Sequence, residues 1–121
     1  MTSKELNLKL IEALPEIKDV YNEEISWQEG DETGSHVVYE DVFVPFIKAQ
    51  IEIKNKNSLT KIFEFLEELI KSGNDYAIEV VTLSVLESLL FDEDTDTKFF
   101  LQFAKEKTLK IIQEIVQDLE T

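Results

Sequence analysis

No stretch limits the fold of this chain more than Tyr76–Phe91. It reads Tyr-Ala-Ile-Glu-Val-Val-Thr-Leu-Ser-Val-Leu-Glu-Ser-Leu-Leu-Phe, with Glu79 and Glu87 as its only charges. A helix that is apolar nearly all round is covered by neighbours on several sides. The rest of the chain must therefore supply its coat. Just upstream, Leu59, Ile62, Phe63, Leu66, Leu69 and Ile70 recur at steps of three and four, one face of an amphipathic helix. Ser72-Gly73-Asn74-Asp75 joins the two as a short turn, and Ser58 is the expected cap of the first helix.

The flanking segments predict more helix. Ser3 to Leu14 places Leu6, Leu10, Ala13 and Leu14 on one face, with Ser3 as the expected N-cap. Pro15 ends that helix and suits the first turn of a second, which runs to about Gln28 with Ile17, Val20, Tyr21 and Ile25 inward. Residues 29–35 hold two of the three glycines and three acids, and form the clearest loop. A helix then starts near Tyr39 to Asp41 and runs to about Ile53. With Asp41 as its N-cap, Pro45 falls at the end of the first turn; an earlier start makes Pro45 a kink. Val37–Tyr39 reads as either extended or helical. Lys54–Asn57 is a polar turn.

Beyond the hairpin, Asp92–Asp96 is an acidic break, and Asp94 or Asp96 suits a helix start. Phe99, Phe100, Leu101 and Phe103 make a short apolar helix, and Thr108, Leu109, Ile112, Ile115, Val116 and Leu119 a final amphipathic one. The two separate at Ala104–Lys107 or form one long helix. The expectation is an all-α fold in a single domain, 1–121. Five to six helices pack as antiparallel hairpins around the central apolar helix at about 76–91, as a HEAT-like stack or an irregular bundle.

Composition narrows the function classes. Acids outnumber bases 26 to 12 for a formal charge of -14, and every base is lysine. Such a surface repels nucleic acid and anionic lipid and speeds encounter with basic partners. The absence of cysteine removes disulfides, thiolate catalysis and sulfur-bound zinc. No long apolar run and no basic leader occurs, so a soluble cytoplasmic protein without a membrane partner is expected.

Few motifs could carry chemistry. Asp92-x-Asp-x-Asp96 looks like the start of a calcium loop, but Thr97 and Phe103 stand where such a loop needs glycine and a bidentate acid. His36 shares a helix face with Glu40, yet it is the only histidine, too little for a zinc site. A triad on His36 would need a serine in a strained elbow, and none is present. Three glycines give no phosphate-cradling loop. No catalytic, cofactor or metal residue is assigned, and the protein is expected not to be an enzyme. Glu79 and Glu87 read as a solvated strip of the apolar helix, or as an acid pair in a cleft. Residues 1–35 carry nine acids against three lysines, whereas residues 36–56 balance at three and three. The bland reading is a solubilising face. The sharper one is a patch for a basic protein, with Trp27 as aromatic anchor beside Glu29, Asp31 and Glu32, and with Asp92, Glu93 and Asp94 as a second acidic group.

Three segments carry a family resemblance: Tyr39–Ile47, Ile62–Glu67 and Val80–Glu87. In helix order, residues 5 to 118 resemble small acidic all-helical bacterial proteins of poorly characterised families, some of them similar to immunity proteins of polymorphic toxin systems. The resemblance implies a HEAT-like domain that binds and blocks a cognate toxin. The function expected is thus a non-enzymatic protein-binding module for a basic partner. The alternative is a small helical domain with a ligand-binding or enzymatic pocket near Glu79 and Glu87. Either a monomer or a homodimer, joined through spare apolar surface on the last helix, fits the sequence.

Overall fold

The turn that closes the central hairpin shows how local chemistry sets the architecture. The computed structural model describes residues 1–120. Helix α4, Lys56–Lys71, ends where Gly73 takes a φ of 69°, a left-handed geometry that glycine enters without a Cβ clash, and its N–H reaches the Ile70 carbonyl at 3.1 Å. One residue later the Asn74 side chain accepts the Ala77 N–H at 3.0 Å and starts α5, residues 75–90. The two helices therefore fold back on each other after three residues. Nine residues of α4 are buried, among them Leu59, Ile62, Phe63, Leu66 and Leu69, the face expected from the periodicity.

Seven helices, rather than five or six, are present among the described residues, and no strand. α1 spans Ser3–Ala13, α2 Lys18–Ser26, α3 residues 35–52, α6 Thr97–Leu101 and α7 Glu106–Glu120. The fold is all-α. α1 packs on α3 and α4, α3 lies against both helices of the hairpin, and α7 returns to cover α4. Their buried side chains, from Leu6 through Ile115, join in one hydrophobic core. Phe63 and Phe100 stack within it, with rings 5.9 Å apart and 11° from parallel. α5 is buried at Ala77, Val80, Val81, Val85, Leu86 and Leu89, and opens to solvent along one strip where Glu79 and Leu83 lie.

Several boundaries differ from the sequence reading. Thr2, not Ser3, caps α1: its hydroxyl accepts the Glu5 N–H at 3.1 Å while the Glu5 carboxylate accepts the Thr2 N–H at 3.2 Å. Ser3 instead shares a 2.7 Å hydrogen bond with the Tyr76 hydroxyl. Asn55, not Ser58, caps α4, after Lys54 has turned the chain at a φ of 55°. A short 3-10 turn, Pro15–Ile17, precedes α2.

The largest difference is α3, which starts at Ser35 and runs straight through Val37–Tyr39 and Asp41, so Asp41 is an interior residue and not a cap. Pro45 does not end it. The five residues before Val44, Tyr39–Phe43, form wide π-helical turns, closed by the Val44 N–H on the Tyr39 carbonyl. Proline inside an α-helix lacks a donor and presses on the carbonyl four residues back. A wider turn just ahead of it relieves that crowding and keeps the helix continuous. α5 has a wide segment too, Val80–Leu86, and the two wide segments pack together.

Near the end of the chain, Asp96 and not Asp94 is the cap, and the two last helices are separate, with the break two residues earlier than 104–107 and Phe103 outside the shorter one. Asp96 caps α6 through the Phe99 N–H at 3.0 Å, and the last two helices separate at residues 102–105. Among the described residues no helix is long and apolar enough to cross a membrane.

Candidate functional site

The acidic loop after α2 is built on buried polar anchors. Asn7, fully buried in α1, donates through Nδ2 to the carbonyls of Asp31 (3.0 Å) and Thr33 (2.7 Å) and accepts the Ser35 hydroxyl at 2.8 Å. The Thr33 hydroxyl donates to the Gly30 carbonyl at 2.7 Å, and the Glu29 N–H donates to Thr33 Oγ1 at 3.1 Å. Tyr21, buried on α2, gives its hydroxyl to Asp31 Oδ1 at 2.7 Å. Burial first, and then this acidic neighbour, push the Tyr21 hydroxyl well above its ordinary value. The loop is a fixed platform.

On that platform Trp27, the only tryptophan, closes α2 with 68% of its surface exposed. Glu29 and Glu32 are exposed, and Asp31 is half-buried under Tyr21. Residues 19–47 hold eight carboxylates and not one lysine. Among the described residues none of those eight is in an ion pair; the lysine bridges reach Asp92, Glu16 and Glu64 instead. Carboxylates without an ion pair, on either side of an exposed indole in sequence, suit ammonium or guanidinium groups by charge and by cation–π contact.

The second acidic group lies elsewhere. Asp92 holds Lys48 of α3 at 2.7 Å and accepts the Asp94 N–H at 2.9 Å. The Lys48 hydrogen bond first, then the Asp94 N–H, hold the Asp92 carboxyl below its usual range. Glu93 and Asp94 are exposed. Ser35 anchors the first acidic loop and Lys48 the second. The stretch of α3 between them spans about 20 Å at 1.5 Å per residue. The structure thus splits the seven expected contact residues into two groups toward opposite ends of α3.

His36 is placed by three side chains of α5 and not by Glu40. Its Nδ1 is 2.6 Å from the Ser84 hydroxyl, its Nε2 is 3.6 Å from a Glu79 carboxylate oxygen, and its ring meets Tyr76 edge-on at 5.8 Å. Serine, histidine and glutamate in this order have the atom types of a proton relay. Ser84, however, is fully buried in the middle of α5, where its oxygen cannot reach a substrate carbonyl. Glu79 is exposed and Glu87 half-buried on the open strip of α5. Among the described residues no three metal-ligating side chains cluster.

The sequence assigns no role to Asn7 or Ser84, and it places Tyr21 on the inward face of α2 without disclosing its bond to Asp31. Asn7 and Tyr21 shape the loop from neighbouring elements, and Ser84 lies 48 residues from its histidine. The lysine-free interval around Trp27 was the available signal.

The model of one protein family, described as a domain of unknown function (DUF7674), matches residues 7–119. No curated protein and no solved structure matches the chain.

Proposed function

From the premise that the chain belongs to the DUF7674 family over residues 7–119, we propose that it is a non-enzymatic protein-binding module whose acidic face engages a basic protein. The observation that carries this reading is Trp27, exposed at the end of α2 next to the hydrogen-bonded acidic loop, in a stretch whose carboxylates, among the described residues, form no ion pair with a lysine. An exposed tryptophan is an anchor of the kind that dominates interface energies. The surrounding charge raises the rate of encounter with cationic surfaces and weakens encounter with nucleic acid.

In its most specific form the module is an immunity protein that neutralises a toxin in the cytoplasm, the activity implied by the resemblance of residues 39–47, 62–67 and 80–87. The burial of Ser84 and the exposure of Glu79 favour binding over a catalytic pocket on α5. Co-expression with the products of neighbouring genes tests the reading. A partner that co-purifies with the chain at low salt, is released at high salt and is lost with Trp27→Ala supports it. Failure to bind any basic protein at low salt overturns it.

A further inference from the structure

A cleft between α2 and α3 has a composition that calls for a particular side chain. It opens between the start of α2 and the middle of α3, with a volume of about 260 Å³. Its apolar floor and walls come from Ile17, Val20, Val42, Pro45 and Phe46, and carboxylates of Glu16 and Asp41 stand at its rim. Val20 is 56% exposed although it is β-branched and apolar. Asp41, among the described residues, has no ion-pair partner. Among the described residues Glu16 pairs only with Lys61, at a long 3.5 Å and with both side chains well exposed, a contact of small value. The cleft is therefore apolar below and anionic above.

Trp27 belongs to the same edge. Positions 20 and 27 are seven residues apart, so on a helix they share one stripe about 10 Å from end to end. Both are exposed, and both lie in the lysine-free interval 19–47. Glu23 and Glu24 lie between them in sequence on α2. The stripe thus joins a cleft, a row of acids and an indole on one side of the molecule.

We infer that this cleft receives a lysine or arginine side chain of the basic partner, its methylene stem on Val20, Pro45 and Phe46 and its cationic head on Asp41. Long basic side chains bury their stems on apolar surface and keep the charge at a polar rim. An acidic or purely apolar residue would meet repulsion from Asp41 or leave that carboxylate desolvated without a partner. The inference rests on the protein-binding reading and adds to it the position and chemistry of the anchoring contact.

The test is a heteronuclear NMR titration of the labelled full chain with a short synthetic peptide of lysine and leucine, and with its glutamate-for-lysine counterpart as control. Binding in the cleft shifts the amides of Val20, Val42 and Phe46 together with the Trp27 indole, and the control shifts none. Val20→Ser and Asp41→Lys each weaken the peptide by about tenfold or more, the scale of a buried anchor contact. Both positions are exposed, and the dispersion of the unbound spectrum checks that the variants fold. Shifts confined to residues 29–32 or 92–94, with affinity untouched by both variants, overturn the cleft and leave the acidic-surface reading standing. No shift anywhere overturns both.

Discussion

The Glu67 carboxylate of α4 caps α7 through Thr108: one oxygen accepts both the Thr108 N–H and the Thr108 hydroxyl, each at 2.9 Å. The other oxygen accepts the Lys107 N–H at 3.0 Å. Free N–H groups at a helix start need acceptors and favour a negative charge. Here the acceptor comes from a helix 41 residues upstream, so the bond that begins α7 also docks it on the core.

Glu67 should accordingly make stability depend on acid. Burial pushes its carboxyl up, but the two backbone N–H groups and the Thr108 hydroxyl together outweigh it, and the net result is below the ordinary value of 4.5. A carboxyl depressed in the folded state contributes fully above its unfolded value and loses the contribution as pH falls through the folded one. Glu67→Gln should cost about 1.5–3 kcal/mol at neutral pH, the scale of hydrogen bonds to a charged group. That difference should shrink as pH drops below 4.5. Urea denaturation at a series of pH values measures it, and a difference that stays constant into strong acid contradicts the capping role.

Asn7→Ala should loosen the acidic loop. Three hydrogen bonds converge on this fully buried amide, and its loss strands the Asp31 and Thr33 carbonyls. Unsatisfied buried groups cost about 1–3 kcal/mol each, so a loss of about 3 kcal/mol is expected, with faster amide exchange across residues 29–35. Tyr21→Phe removes only the hydroxyl on Asp31 and should cost about 1 kcal/mol. An Asn7 variant as stable as the parent protein would mean that the loop does not depend on this anchor.

Trp27→Ala should separate binding from stability. With 68% of the side chain in solvent, truncation should change the unfolding free energy by less than about 0.5 kcal/mol. As the only tryptophan, it reports on its own surroundings: emission should resemble solvated indole and move to shorter wavelength when a lysine-rich peptide binds. A substantial loss of stability, or no spectral change on binding, would place Trp27 outside the interface.

These residues also show what a sequence discloses. The inward face of α4 was legible because periodicity encodes burial directly, as Leu59 through Ile70 illustrate. Asp96 and the break near Ala104 were legible because capping and turn preferences are local. The start of α3 was not, since Pro45 suits the first turn of a helix begun at Asp41 unless the preceding turn widens, as it does over Tyr39–Phe43 where α3 meets α5. Ser3 and Thr2 are both good caps, and the Tyr76 hydroxyl, on a helix far along the chain, engages Ser3. Glu67 sits in an amphipathic pattern that reads equally well with that glutamate in water. Trp27 was legible as a candidate from its acidic neighbours, whereas the cleft requires α2 and α3 to be side by side.

The pair His36 and Ser84 permits one last prediction, which distinguishes a structural hydrogen bond from a catalytic one. Nδ1 shares a 2.6 Å hydrogen bond with the Ser84 hydroxyl, while Nε2 lies 3.6 Å from a Glu79 carboxylate oxygen. The Glu79 contact is long and exposed at 3.6 Å, and Glu79→Gln should alter stability by less than about 0.5 kcal/mol. Ser84 is different, because without His36 its buried hydroxyl has lost a partner at 2.6 Å. His36→Ala should cost about 1–2 kcal/mol. Ser84→Ala removes the hydroxyl and the penalty together, and in its background the His36 substitution should become cheaper by about 0.5–1.5 kcal/mol, the coupling of a contacting pair. If instead the two effects add, the hydrogen bond carries no weight. If Ser84→Ala leaves stability alone but abolishes hydrolysis of an activated ester by the parent protein, the relay is chemical and the binding reading of α5 must be replaced.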